Sequence, residues 1–281
     1  MIPFDFITEW RHHAPWIQDA QVEQDLIIGR ALVEIFNRDT VANTLAFRGG
    51  TALYKLHLQP AVRYSEDIDL VQIAAGPIGV ALDAIRGTLD PWLGDPKRTF
   101  KAGSTTLVYR TQSEGMPPLP LRLKIEINTR EHFSVLGLEE CLFTVESRWF
   151  SGSAPIQTYQ IDELIGTKMR ALYQRKKGRD LFDIWYADRR ADVDAKRVVE
   201  CFRRYLGHEG LRVSRAEFEA NLEEKLSDAT FLGDITPLLA PNCPWDITDA
   251  ERYAREELLT RLPGDAWKGS KSPQAQRRRN E

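Results

Sequence analysis

The hydrophobic spacing of this chain changes period near residue 160, and that switch limits the folds open to it. Before it, apolar residues alternate. In LRLKIEINTR (121–130), Leu121, Leu123, Ile125 and Ile127 share one face, and Arg122, Lys124, Glu126 and Asn128 share the other, which is the two-residue period of a half-buried strand. After it, helical spacing dominates over 161–176, 179–190, 194–207, 214–227 and 248–262. The expectation is an α/β (α+β) mixed-sheet domain over 41–160 and an α-helical domain over 161–264. An N-terminal helical segment, 1–40, precedes them and a flexible basic tail, 265–281, follows.

Within this frame, 19–39 reads as an amphipathic helix through Val22, Leu26, Val33 and Phe36. Residues 44–48 read as a short buried strand ending at Gly49-Gly50, and 51–58 as a helix stopped at Pro60. A strand is expected over 68–73, a helix over 77–92, and strands over 97–111 and 119–129 joined through SEGMPPLP. Two further short strands are expected within 148–160.

The 281 residues carry 38 Lys+Arg against 41 Asp+Glu, with 28% charged and 42% hydrophobic residues, a globular composition that excludes a disordered, collagen-like or coiled-coil chain. Near-neutral charge argues against a protein that coats nucleic acid uniformly, but it allows a local basic patch. No apolar run approaches the roughly 18 residues of a membrane span, and no basic start with an apolar core suggests a signal peptide. Cys141, Cys201 and Cys243 are scattered and odd in number, so neither a disulfide framework nor a zinc pattern is expected. A reducing cytoplasm suits such a chain.

Four constellations carry chemistry. In FRGGTALYKLH (47–57) a strand runs through Gly49 and Gly50 into a helix, which offers backbone N–H groups to an anion. Thr51 either adds a hydroxyl donor there or caps the helix. In RYSEDIDLV (63–71), Asp67 and Asp69 stand two apart on a strand and point to one face, a pair that suits Mg²⁺. Glu126, if its strand lies beside that one, completes a carboxylate triad of the kind that holds metal ions at nucleotide phosphates.

The fourth is DELIGTKMRALYQRKKGRDLFDIWYA (162–187). Lys168 falls inside the apolar stripe of its helix, where it points to a core or a cleft or snorkels outward. Arg175, Lys176, Lys177 and Arg179 form a basic cluster able to hold a triphosphate or an RNA backbone. Asp180 and Asp183 share a face of the next helix, whereas Phe182, Trp185 and Tyr186 are expected to pack.

In this order the motifs resemble the AbiEii/AbiGii family of toxin nucleotidyltransferases, which includes the MenT-type toxins; the resemblance covers about residues 40–190. It implies a nucleotidyltransferase-like α/β domain, a helical domain, and an active site in the cleft between them. Carried over by motif, Gly49, Gly50 and Thr51 match the phosphate-contacting turn, and Ser65, Asp67 and Asp69 match the serine and two metal-binding aspartates. Glu126 matches the third acidic position, and Lys168 the lysine that meets the triphosphate. Arg175, Lys177, Arg179, Asp180 and Asp183 match the helical-domain signature, Asp183 with a catalytic role and the others at the nucleotide.

The resemblance further implies an Mg²⁺-dependent enzyme of a toxin–antitoxin, abortive-infection or phage-defence system. It would take a nucleoside triphosphate, modify RNA at the 3′ end of tRNA, block translation, and have a cognate antitoxin. A small-molecule nucleotidyltransferase of the antibiotic-modifying type, a non-catalytic binding module and a γ-phosphate transferase are the competing readings. The basic stretch 168–179 and the Arg277–Arg279 tail favour a polyanion over a sugar.

Overall fold

The computed structural model describes residues 2–269. Seven strands, β1 (Leu45–Arg48), β2 (Asp67–Gln72), β3 (Lys97–Lys101), β4 (Ser104–Gln112), β5 (Pro120–Asn128), β6 (Leu138–Glu146) and β7 (Ser151–Tyr159), form one mixed sheet. Their order is β3-β4-β5-β2-β1-β7-β6. At its centre β2 runs antiparallel to β1 and parallel to β5, and β1 is parallel to β7.

Around the sheet stand α1 (Phe4–Trp10), α2 (Asp19–Phe36), α3 (Asp39–Ala42), α4 (Gly49–Ala52) and α5 (Gly79–Leu93). One face of the sheet packs under α2, which touches β5, β6 and β7, and under α5, which touches β4. Leu121, Leu123, Ile125 and Ile127 are buried on that face. Helix α2 is buried nearly all round rather than amphipathic. Its polar residues are therefore partnered: Asp25 accepts from Trp10 Nε1 at 2.9 Å and Lys55 Nζ at 2.7 Å, and Gln24 Nε2 donates to the Arg122 carbonyl at 3.0 Å.

The helical half contains α6 (Ile161–Gln174), α7 (Gly178–Arg190), α8 (Ala195–His208), α9 (Arg215–Leu226), α10 (Ala229–Gly233) and α11 (Ile247–Tyr253). Side-chain caps fix four of its starts, with Asp228 on α10 and Asp246 on α11 among them. Asp194 accepts from the Lys196 and Arg197 amides at the head of α8, and Ser214 with Glu217 forms a capping box on α9. Phe182, Trp185 and Tyr186 pack as expected, with Phe182 stacked on Tyr186 at 5.5 Å. One segment of this half crosses back to the sheet domain. Tyr64 N donates to Leu238 O and Ala240 N to Val62 O, both at 2.8 Å, so 238–240 straps the chain just ahead of β2.

Three expectations change. The single strand expected over 97–111 is the hairpin β3–β4, reversed at Ala102-Gly103. The two short strands expected within 148–160 are one, β7, and its antiparallel partner β6 gives no strand signal in the sequence because more of its residues are exposed than buried, which erases the alternation. The helix expected over 51–58 starts at Gly49 and passes into a π-helical turn, Leu53–His57. The basic tail, Arg277–Arg279 included, lies from residue 270 on outside the described residues. Among the described residues no helix is long and apolar enough to cross a membrane.

Candidate active site

Register builds the acidic centre. Across the parallel β2–β5 pair, Asp67 stands opposite Lys124 and Asp69 opposite Glu126; across β1–β2, Arg48 stands opposite Asp69. Paired residues point to one face, so the three predicted carboxylates share the face that α2 and α5 leave open. Lys124, which the sequence reading passed over, holds two of them, with Nζ 2.7 Å from Glu126 Oε2 and 3.3 Å from Asp67 Oδ2. Burial and the neighbouring Asp67 push the Asp69 carboxyl up to about 6, against the pull of Lys124, Arg48 and Lys168.

These residues fit a divalent cation. Asp67 Oδ1 is buried with no hydrogen-bond partner, and Asp67 and Asp69 are two half-buried carboxylates on one strand. All three donors are oxygens, the set that Mg²⁺ prefers; their ligand atoms do not all lie within 4.8 Å of one another, and Glu126 has to leave Lys124 to join the two aspartates at one ion.

The glycine turn supports this centre by leaving room for it. Gly49 sits at φ +85°, and a Cβ there would fall 2.2 Å from Asp69 Oδ2. A Cβ on Gly50 would fall 2.6 Å from the Arg63 guanidinium, 3.1 Å from Ser65 Oγ and 3.4 Å from Lys168 Nζ. Thr51 does not cap the helix and does not reach the cavity wall. Its buried hydroxyl bonds the Asp67 carbonyl at 2.5 Å and Ser65 Oγ at 2.9 Å, tying the turn to the mouth of β2.

Lys168 does not snorkel. It is buried on α6 with Nζ 2.8 Å from Asp183 Oδ2 and 3.6 Å from Asp180 Oδ1. Asp183 and Asp180 are fully buried behind the wall, so neither can touch a nucleotide directly; this corrects the catalytic and nucleotide-binding roles expected of them. They hold cations in place instead. Asp183 accepts two hydrogen bonds from Arg63, at 2.7 and 2.9 Å, and one from Tyr54 Oη at 2.9 Å. Burial would raise its carboxyl, but Arg63 and Lys168 hold it below the usual range. Asp180 accepts from Arg175 Nε at 2.7 Å and Nη2 at 2.8 Å.

The basic cluster is paired rather than free. Lys176 meets Asp228 at 2.9 Å, and Lys177 and Arg179 meet Asp234 at 3.2 and 3.0 Å. On the other side Arg48 and Arg170 converge on Glu131, Arg170 at 2.6 Å. Burial favours the neutral acid, yet these two arginines bring Glu131 down to about 2.

Two adjoining cavities open on the carboxylates. One, of about 220 Å³, is bounded by Arg48, Gly49, Asp69, Ser104, Glu126 and Asn128. The other, of about 320 Å³, is bounded by Ser65, Asp67, Lys176, Lys177 and Arg179. Gly50, Asp69, Lys168 and Arg175 belong to both walls. Arg63, Arg48, Arg170 and Tyr54 were missed because each acts through a partner distant in sequence. Lys124 was legible, being on the same strand face as Glu126.

The chain resembles MenT4, a nucleotidyltransferase toxin from Mycobacterium tuberculosis, at 16% identity and a TM-score of 0.60, covering 94% of this chain and 92% of that one. It resembles JHP933 from Helicobacter pylori at 20% identity and a TM-score of 0.52, covering 85% and 90%. At these identities the likeness shows the fold, an α/β nucleotidyltransferase-like one. No curated protein matches the chain. The family model described as nucleotidyl transferase AbiEii toxin, type IV toxin–antitoxin system, matches residues 30–255. That span is well over half of the sequence, and the chain belongs to the AbiEii family of nucleotidyltransferase toxins.

Proposed function

We propose that this protein is a toxin that transfers a nucleotide from a nucleoside triphosphate to the 3′ end of an RNA, with tRNA as the acceptor, so that translation and growth stop. The observation that carries the reading is the register of Asp67, Asp69 and Glu126 on β2 and β5, with a cavity on each side. Two substrates that must meet at one reacting phosphorus need such a divided cleft.

The triphosphate lies in the cavity of Ser65, Lys168, Arg175, Lys177 and Arg179. The Gly49-Gly50 turn lets it come close, and Asp180 and Asp183 keep Arg175 and Lys168 aimed at it. The acceptor hydroxyl enters from the Glu126 side and attacks the α-phosphorus. An O–P bond forms, the bond to pyrophosphate breaks, and the hydroxyl proton passes to Asp69 or Glu126. Mg²⁺ held by Asp67, Asp69 and Glu126 supplies neutralisation of phosphate charge when bound. The protein contributes alignment and fixed positive charge. A cognate antitoxin and a cytoplasmic setting belong to the same reading.

Incubation with total tRNA, Mg²⁺ and each α-labelled nucleoside triphosphate tests it. Label at RNA 3′ ends is the expected result. Label on a small molecule or on protein, or transfer only from γ-labelled substrate, would replace it with one of the competing activities.

A further inference from the structure

The face that carries the carboxylates continues outward to the sheet edge. Asp67 is opposite Lys124, Lys124 opposite Val108, and Val108 opposite Lys97; a second row runs Asp69, Glu126, Thr106, Thr99. Farther along, Arg110 is opposite Arg122, and toward the cavity Lys101 is opposite Ser104, itself opposite Asn128. With strands about 4.8 Å apart, the edge row lies roughly 14 Å from the aspartates. The reverse face of β4 and β5 is buried under helices, but on this one Lys97, Lys101, Arg110 and Arg122 are exposed and Thr99 and Thr106 half-buried.

The charges here differ from the cluster at 175–179. Those four cations each meet an acid at 2.7–3.2 Å. Lys97, Lys101 and Arg110 have no ion pair among the described residues, and Arg122 has a single contact, 3.9 Å from Glu66. An unpaired cation on a polar strand face gives up little to meet a phosphate. A paired one meets it with part of its charge already compensated.

We infer that the open β3–β5 face is the track for the acceptor, a single-stranded 3′ end of RNA. Its phosphates lie on Lys97, Lys101, Arg110 and Arg122, and its terminal nucleotide enters the cavity at Ser104 and Asn128. The hydroxyls of Thr99, Thr106 and Ser104 face the same way and suit contact with 2′-hydroxyls. A cavity of about 220 Å³ admits one strand end, not a duplex. This inference rests on the RNA reading above and adds where that RNA lies.

The test compares the full chain with two triple variants. One is Lys97→Gln/Arg110→Gln/Arg122→Gln. The other is Lys196→Gln/Arg203→Gln/Arg204→Gln, on the separate basic groove of α8. For each, KM for tRNA and for the nucleotide, and anisotropy binding of labelled tRNA without nucleotide, are measured across a KCl series. In the sheet variant KM and Kd for tRNA should rise about tenfold or more at low salt, and the log–log salt slope should fall by about 2, at about 0.7 per lost contact. The nucleotide KM should stay within about twofold in the same regime.

Wild-type tRNA binding and slope in the sheet variant, or the loss appearing in the α8 variant instead, would overturn the track while leaving the RNA reading standing. Wild-type enzyme that labels no RNA would overturn both.

Discussion

Lys124 bridges neighbouring strands: its single ammonium lies 2.7 Å from Glu126 on its own strand and 3.3 Å from Asp67 on the next. A divalent cation held at the same carboxylates would share its task. Lys124→Met should lower stability without metal by about 1 kcal/mol, since these groups are partly exposed and screened. Mg²⁺ should raise the melting temperature more in the variant than in wild type. Thermal unfolding with and without Mg²⁺ reads both, and equal Mg²⁺ shifts would refute the shared role.

Asp69→Asn and Asp67→Asn should each abolish transfer, with a loss of about 10²-fold or more, the scale expected when a preorganised charge is removed. Neither should lower the melting temperature in EDTA, because each relieves repulsion between crowded carboxylates. Single-turnover labelling beside calorimetry in EDTA separates the two effects. Activity surviving in both variants is incompatible with a metal-centred mechanism.

Lys168→Met should damage both folding and function. Asp183 retains Arg63 and Asp180 retains Arg175, so the stability cost should be about 2 kcal/mol, below the range for an abandoned buried charge. KM for the nucleotide should rise about tenfold, the worth of one charge-assisted hydrogen bond. Lower stability with an unchanged nucleotide KM would make Lys168 a structural residue only.

Gly49→Ala should remove activity by displacing Asp69, since the added methyl would fall 2.2 Å from Oδ2. Gly94→Ala is the control: φ is +77° there, yet nothing lies within 4 Å of the new carbon. Both should lose roughly 1–3 kcal/mol of stability to positive-φ backbone strain, Gly94 lying at ψ −174°, and only the first should lose transfer. Parallel loss of activity in the control would point to strain rather than collision.

Glu23, buried on α2, accepts from Glu114 N through Oε2 at 3.0 Å while Oε1 has no partner, and burial pushes it up to about 7. Its folded value lies above the unfolded one of 4.5, so the unfolded chain releases the proton first as pH rises. The cost to folding grows from about pH 4.5 to 7 and then levels off. Glu23→Gln should match wild type near pH 4.5 and exceed it above pH 7 by up to about 3 kcal/mol. Denaturant titrations at pH 4.5, 6 and 8 measure the gap, and a constant gap would exclude the titration.

Local pattern made much of this molecule legible. The alternation around Glu126 and the two-residue spacing of Asp67 and Asp69 were enough to anticipate a shared face, because strand geometry fixes side-chain direction. Lys168 stood out as a charge inside an apolar stripe. What stayed hidden depends on distant residues. Arg63 is 120 positions from the aspartate it clamps, and Arg48 is 83 from Glu131. Asp180 and Asp183 look like ligands in the sequence because a sequence shows that a charge is present but not that it is buried.

The strap of residues 238–240 beside Val62 and Tyr64, with the Arg63–Asp183 clamp behind it, has a mechanical consequence. Helix α7 is joined to the entry of β2 by a buried two-point ion pair, and residues 238–240 are joined to the same entry by main-chain bonds on either side of Arg63. A jaw-like swing of the helices away from the sheet would have to break all of these together. The cleft is therefore a fixed vice, loaded through its two mouths. A molecule that wedges between α7 and β2 would work against that joint, whereas one that fills either mouth would not.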